Sequence, residues 1–190
     1  MTEERHIPAR PVSGFRQLPG ELIMWVLILS EIAVFSACLL VFLVLRLTDP
    51  VTFATSQDQL HRLSAGINTA VLVTSGYAAA RALALVRDGA ASRARLWLLG
   101  AAGLGLVFLA LKTVEYADAV SRGIGVDTNS FFTFYYLLTG FHAAHVVAGV
   151  IILILVAIRP QPEPVQAGSQ FWHMVDLVWV LLFPIIYLLQ

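Results

Sequence analysis

The sequence predicts an all-α integral membrane protein, a bundle of five transmembrane helices, and two observations carry that expectation. The first is composition. Of 190 residues, 58% are hydrophobic and only 13% charged, with a mean hydropathy of +0.80. An ordinary soluble domain is about half apolar and about a quarter charged. Half the usual charge cannot cover a water-facing surface, so lipid must cover much of it. The second is segmentation. The apolar stretches Leu22–Leu45, Ser64–Leu85, Leu96–Ala117, Phe131–Ile158 and Gln170–Leu189 each reach the ~20 residues needed to cross a ~30 Å hydrocarbon core.

The first stretch follows Arg5, Arg10 and Arg16 and could be mistaken for a signal peptide. It is too long for the apolar core of one, carries Glu31 near its centre and lacks a clean small-residue cleavage site. Ser36, Ala37 and Cys38 hint at a lipoprotein box, but apolar sequence continues well beyond them. The stretch is therefore expected to stay, which divides the chain into an N-terminal segment, 1–20, and a membrane domain, 21–190.

Between the stretches the chemistry changes abruptly. Arg46 to Arg62 is polar, with Asp49 and Pro50 as a turn signal. Arg87 to Arg95 is basic. Arg122 to Ser130 contains Gly123 and Gly125, then Asp127, Thr128 and Asn129, which suit the capping of the next helix. Arg159 to Ser169 holds Pro160, Pro162 and Pro164, which predicts non-helical chain. Connections this short place consecutive helices side by side and antiparallel. They leave no room for a soluble domain, and no internal repeat of the transporter kind is visible.

Lys and Arg set the expected orientation. Arg5, Arg10, Arg16, Arg81, Arg87, Arg93, Arg95 and Arg159 fall on one side, against Arg46, Arg62 and Arg122 on the other. That asymmetry puts the N-terminus in the cytoplasm and Gln190 outside a bacterial-type inner membrane. Phe131, Phe132, Phe134, Tyr135 and Tyr136 are expected to form an aromatic belt at the outer entry of the fourth helix. A formal net charge of zero gives no argument for a nucleic-acid partner. The single Cys38 rules out an internal disulfide and cannot nucleate a thiolate metal site.

An ionisable side chain at bilayer depth costs at least ~2.5 kcal/mol, so each needs a reason. Glu31 lies about ten residues, roughly 15 Å, into the first helix. His142 and His145 lie about as far into the fourth from the other side, and His173 and Asp176 fall in the inner part of the fifth. Lys112 and Glu115, three residues apart near the outer end of the third, share a face and can neutralise each other. At i, i+3 the two histidines cannot both be axial ligands of one haem, and a metal would want further ligands that are scarce here. Hydrogen bonding across helices is their expected work. Glu31, with Leu27, Phe35 and Cys38 around it, lacks the polar chain a proton relay needs, so a neutral carboxyl bonded to a neighbouring helix or lipid is expected. Trp172, Asp176 and Trp179 form one face of the fifth helix and predict a packing seam, with His173 in reach of Asp176. No Gly-rich phosphate loop, nucleophile constellation or carboxylate dyad occurs, so no catalytic, cofactor or metal residue is expected.

Longer strings carry a resemblance. LSEIAVF in the first helix, INTAVLVTSG in the second, EYADAV at the end of the third, TGFHAAHVVAG in the fourth and FWHMVDLVWV in the fifth occur in that order. The chain resembles the subunit III family of haem–copper respiratory oxidases from about Gly20 to its C-terminus. Full-length subunit III has seven helices, and this chain is similar to the last five; the first two form one wall of a lipid-filled cleft in the family. Phe53 to Gln57, Lys112 where oxidase versions usually have Gln, and Phe183-Pro184 resemble the NorE-like accessory proteins associated with nitric oxide reductase. The resemblance implies an accessory subunit without haem or copper, partnered by a haem-containing catalytic subunit and by phospholipid. That subunit would stabilise its partner or sustain proton uptake into it. It also implies that Glu31 matches the family's carbodiimide-reactive glutamate. A small proton-linked transporter, with Glu31, His142 and His145 lining a path, is the alternative.

Overall fold

A computed structural model describes residues 22–189. The segment 1–20, Glu21 and Gln190 lie outside the described residues, and so do the expectations that fell on them. All described secondary structure is helical: α1 (Leu22–Thr48), α2 (Pro50–Gln57), α3 (Arg62–Arg87), α4 (Ala91–Ser121), α5 (Ser130–Ile158) and α6 (Pro162–Phe183), which runs on into a π turn (Pro184–Leu188). Among the described residues, five helices are long and apolar enough to cross a membrane: α1, α3, α4, α5, and α6 with its π turn. The expected fold class stands.

Local chemistry explains where each helix begins and ends, and it corrects the sequence reading at several points. Asp49 and Pro50 do not make a simple turn; they open the short helix α2. The Asp49 carboxylate accepts from the Thr52 amide at 3.2 Å, and Pro50, at the first helical position, has no amide to leave unpaired. The basic stretch 87–95 is mostly helix, interrupted by the tight turn Asp88–Ala90. Gly89 and Gly123 end α3 and α4 at φ of +76° and +77°, where a Cβ would be strained. In each, the following amide returns to a carbonyl five residues back, Ala90 to Leu85 and Ile124 to Ala119. Asn129 caps α5 as expected, accepting from the Phe132 amide at 3.0 Å. The proline-rich stretch is the larger correction. Pro162 and Pro164 sit in the first turn of α6, where the first four amides have no intrahelical acceptor, so their missing N–H groups cost nothing.

The helices α3, α4, α5 and α6 pack in a ring, each against the next and α6 back against α3, while α1 lies outside against α5 and α6. α1 buries only Phe35, Leu39 and Phe42, one stripe at i, i+4, i+7. Phe42 meets Phe53 of α2 and Phe131 of α5 with ring centroids 5.2 and 5.7 Å apart. The core of the ring is organised around Trp172. Its indole lies in a slot made by Gly105 of α4 and Gly149 of α5, where a Cβ would come within 2.6 and 2.5 Å of the ring. Its Nε1 donates to Ser75 Oγ at 3.0 Å, and Ser75 in turn donates to the Ala101 carbonyl at 2.7 Å.

The aromatic belt is not where the sequence reading put it. Phe131, Phe132 and Tyr135 are buried within the bundle, and Phe134 and Tyr136 are partly buried. Their spacing wraps round the helix, so most of the run turns inward on α2 and α4 instead of meeting lipid.

Candidate functional site

The residues singled out by intramembrane polarity resolve into three separate pairs, with His142 outside them. Lys112 and Glu115 lie one turn apart on α4, 2% and 6% exposed, with Nζ 3.2 Å from Oε1. The ion pair expected from the sequence is formed, and it has company the sequence did not suggest. Tyr135 of α5 donates to Glu115 Oε1 at 2.7 Å, and Tyr187 of the π turn does the same at 2.7 Å. Lys112 Nζ donates to Tyr187 Oη at 2.5 Å and lies 3.2 Å from Tyr135 Oη. The rings of Tyr135, Tyr116, Tyr187 and Trp179 surround the ammonium at 4.7 to 5.5 Å from Nζ, within cation–π range. Two hydroxyls, one carboxylate and four aromatic faces thus replace the water around one lysine.

The π turn is what brings Tyr187 there. Pro184 has no amide and its ring would clash with a carbonyl one turn back. The backbone widens by one residue, and the Leu189 amide reaches the Pro184 carbonyl at 2.9 Å. Phe183-Pro184 was visible as a sequence feature; the widening was not, because a π insertion leaves no periodicity to read over five residues.

Glu31 and His145 meet across α1 and α5. Oε2 lies 3.1 Å from Nε2, with side chains 26% and 16% exposed. This is an ion-pair distance without hydrogen-bond alignment at Oε2. His145 Nδ1 donates to the Phe141 carbonyl at 2.9 Å. Glu31 extends the stripe that Phe35, Leu39 and Phe42 continue, so it sits in the seam by which α1 seats on the ring. Where hydrogen bonds across helices were expected of Glu31 and His145, the two share one ion-pair contact instead, and the hydrogen bond of His145 stays within α5.

His142 departs from the expectation. It is fully buried, and neither ring nitrogen has a hydrogen-bond partner among the described residues. The reason is its surroundings: it stacks on Trp179 at 5.1 Å and 30°, and meets Phe108 and Phe35 edge-on. An aromatic box offers faces and edges but no acceptor.

The seam expected of α6 is present, against α3. Trp179 Nε1 donates to Thr69 Oγ1 at 2.9 Å, Trp172 to Ser75, and Ser169 Oγ to the Ala79 carbonyl at 3.3 Å. Asp176 lies against Gly76, where a Cβ would collide with its Oδ2. His173 Nδ1 is 3.7 Å from Oδ2, too far for a hydrogen bond. Among the described residues no group of three or more His, Cys, Asp or Glu could hold a metal ion. Lys112 and Glu115 neutralise each other within the bundle.

A family model for cytochrome c oxidase subunit III matches residues 20–190. The chain belongs to the cytochrome c oxidase subunit III family. Cytochrome c oxidase subunit 3 of Synechocystis sp. is 30% identical over 171 residues, covering 85% of this chain and 72% of that protein. Probable cytochrome c oxidase subunit 3 of Mycobacterium tuberculosis is 31% identical over 130 residues, 64% of either chain. The heme-copper oxidase subunit I+III of Aeropyrum pernix is 29% identical over 179 residues, 87% of this chain but 22% of that longer protein. The chain thus spans about two thirds of the length of the first two relatives. As a subunit III it is a multi-pass membrane protein and a non-catalytic subunit of a haem–copper oxidase complex.

Proposed function

We propose that this subunit III seats against the haem-containing catalytic subunit of a respiratory oxidoreductase and sustains its assembly, stability or proton uptake. The observation that carries the reading is the family match over residues 20–190, in a bundle whose buried Lys112 and Glu115 are spent on one another. The Aeropyrum relative, named as subunits I and III in one chain, supports a partner held at close quarters in the membrane. Phospholipid is the second partner, with the N-terminus on the cytoplasmic side.

Within the family, we place the chain in the NorE-like branch that serves nitric oxide reductase. What supports this is the convergence of two branch-like features on one spot: Lys112 and Phe183-Pro184, far apart in sequence, meet because the π turn at Pro184 carries Tyr187 onto Lys112. The named relatives favour the second reading, an oxidase partner. Affinity purification of the full chain from membranes tests both. A copurifying haem protein whose Soret band belongs to the partner supports the accessory role, and its activity with nitric oxide or dioxygen assigns the branch. A lone oligomer that carries protons across liposomes would sink the reading in favour of the transporter alternative.

A further inference from the structure

Two of the four arginines near the α3–α4 turn are engaged. Arg87 donates to Gln166 at 2.8 Å, and Arg95 holds the last carbonyls of α5, at Ala157 and Ile158, at 2.9 Å. Arg81 of α3 and Arg93 of α4 are exposed, and neither takes part in a hydrogen bond or ion pair among the described residues. Their positions are not random. Arg81 follows Tyr77 by four residues and Ala78 by three; Arg93 precedes Trp97 by four and Leu96 by three. At those spacings they share helix faces with these residues, and these residues line a groove of about 510 Å³ between α3 and α4. The two helices are antiparallel, so both arginines lie toward the same end of the groove, the end with the turn.

The groove has the layers of a lipid. Ala78, Gly100 and Leu104 give it a shallow apolar floor. Thr74 adds no free hydroxyl, since Oγ1 donates to its own Ala70 carbonyl at 2.7 Å. Tyr77 and Trp97 meet edge to face, with centroids 6.1 Å apart, between that floor and the arginines. Such amphipathic rings belong at headgroup level. Arg81 starts about 9 Å inside the end of α3, and its long stem can carry the guanidinium outward to the interface.

We propose that this groove binds an anionic phospholipid. One acyl chain lies over Ala78 and Gly100, Tyr77 and Trp97 flank the glycerol, and Arg81 and Arg93 hold the phosphodiester. A zwitterionic lipid would bring its ammonium towards two guanidinium groups. A partner's helix would bury both guanidinium groups unless it carried acids at that level. The proposal rests on the membrane reading of the chain and is independent of which catalytic subunit it serves.

The test uses the full chain, with whatever subunits copurify, in nanodiscs containing phosphatidylglycerol or phosphatidylcholine with brominated acyl chains. Bromine quenches indole on contact, and subtraction of a Trp97→Phe variant isolates Trp97 from Trp25, Trp172 and Trp179. Brominated phosphatidylglycerol is expected to quench Trp97 at a mole fraction about twenty-five-fold lower than brominated phosphatidylcholine, since each of the two surface arginines contributes a factor of about five. Arg81→Gln with Arg93→Gln should erase the preference while phosphatidylcholine quenching persists, which shows that the groove is still folded. The single variants should fall between, and Arg87→Gln should leave the preference intact. Equal quenching by the two lipids, a preference surviving in the double variant, or no quenching by either lipid because protein covers the groove would each overturn the proposal. Absence of a copurifying haem subunit would count against the accessory reading and leave this readout untouched.

Discussion

Tyr187 donates to Glu115 Oε1 at 2.7 Å across a separation of 72 residues, tying the last turn of the described chain to the C-terminal part of α4. The same carboxylate oxygen accepts from Tyr135 and faces Lys112. Removing two charges from water is costly, and Coulomb attraction repays it only when hydrogen bonds satisfy what remains. Here the tyrosines supply those bonds, and α4, α5 and the π turn are fastened at one point.

Breaking that cluster on one side should therefore cost more than dismantling it. Lys112→Met leaves a buried carboxylate without its cation and is expected to lower stability by about 3–5 kcal/mol. Lys112→Met combined with Glu115→Gln removes both charges while a carbonyl oxygen still accepts from Tyr135 and Tyr187, and should recover most of that loss. Thermal unfolding of the four species in detergent gives the coupling; additive single effects would mean that the pair does not act as a unit.

Tyr187→Phe isolates the π turn's share. It deletes one hydroxyl that faces both Lys112 and Glu115, so a loss of roughly 1–3 kcal/mol is expected. Proteolysis or amide exchange near residues 184–189 should rise with it. Unchanged protection there would show that Pro184 and packing, and not the hydroxyl, hold the turn.

The Trp172 slot predicts a contrast between glycines of α4 and α5. Gly105→Ala and Gly149→Ala drive a methyl into the indole, at a cost of about 1–3 kcal/mol of overpacking. Gly103→Ala meets nothing within 4 Å and should be neutral or stabilising by roughly 0.5–1 kcal/mol through helix propensity. Equal melting temperatures for all three variants would contradict the slot.

Length and apolarity made the five spans legible, because a continuous apolar run of about 20 residues satisfies its backbone in lipid as a helix. The pairing of Lys112 with Glu115 was legible for a local reason: i, i+3 geometry lies within one helix. Glu31 with His145 was not, since which face of α1 meets α5 is decided by the Phe35–Leu39–Phe42 stripe in three dimensions. The start of α6 is not legible from composition, because proline breaks a helix interior but is harmless in the first turn, where Pro162 and Pro164 lie. The aromatic run at 131–136 was read as a lipid belt because sequence does not tell an inward ring from an outward one. His142 was given a hydrogen bond that its aromatic box does not offer.

Orientation rests on the eight-to-three distribution of Arg. In a Cys38→Ala background, cysteines placed at Ser92 and at Gln190 should be labelled by an impermeant reagent from opposite sides, Ser92 from the cytoplasm. Five spans put the two positions on opposite faces whichever way the bundle is inserted. Labelling from the same side would mean that one of the five helices does not cross.

Glu31 and His145 give the last prediction. A backbone carbonyl only accepts, so the Phe141 contact keeps a proton on His145 Nδ1. Nε2 then faces Glu31 Oε2 at 3.1 Å, a polar contact between α1 and α5 without an aligned hydrogen bond. Glu31→Gln can still offer an N–H to Nε2, so it should assemble normally and leave partner turnover within a few-fold. Glu31→Ala leaves Nε2 without a partner at the seam of α1 and should cost ~1–3 kcal/mol, read as loss of subunit from the purified complex on heating. His145→Ala should cost a similar amount, and the two losses should not add, because each removes the same contact. A lipid-soluble carbodiimide should modify Glu31, which lies at membrane depth with a quarter of its side chain accessible, in preference to the exposed Asp58 and Asp88. Loss of turnover in Glu31→Gln with the complex intact would instead make Glu31 an obligatory proton carrier. The pair would then be a relay and not the polar fastening of α1.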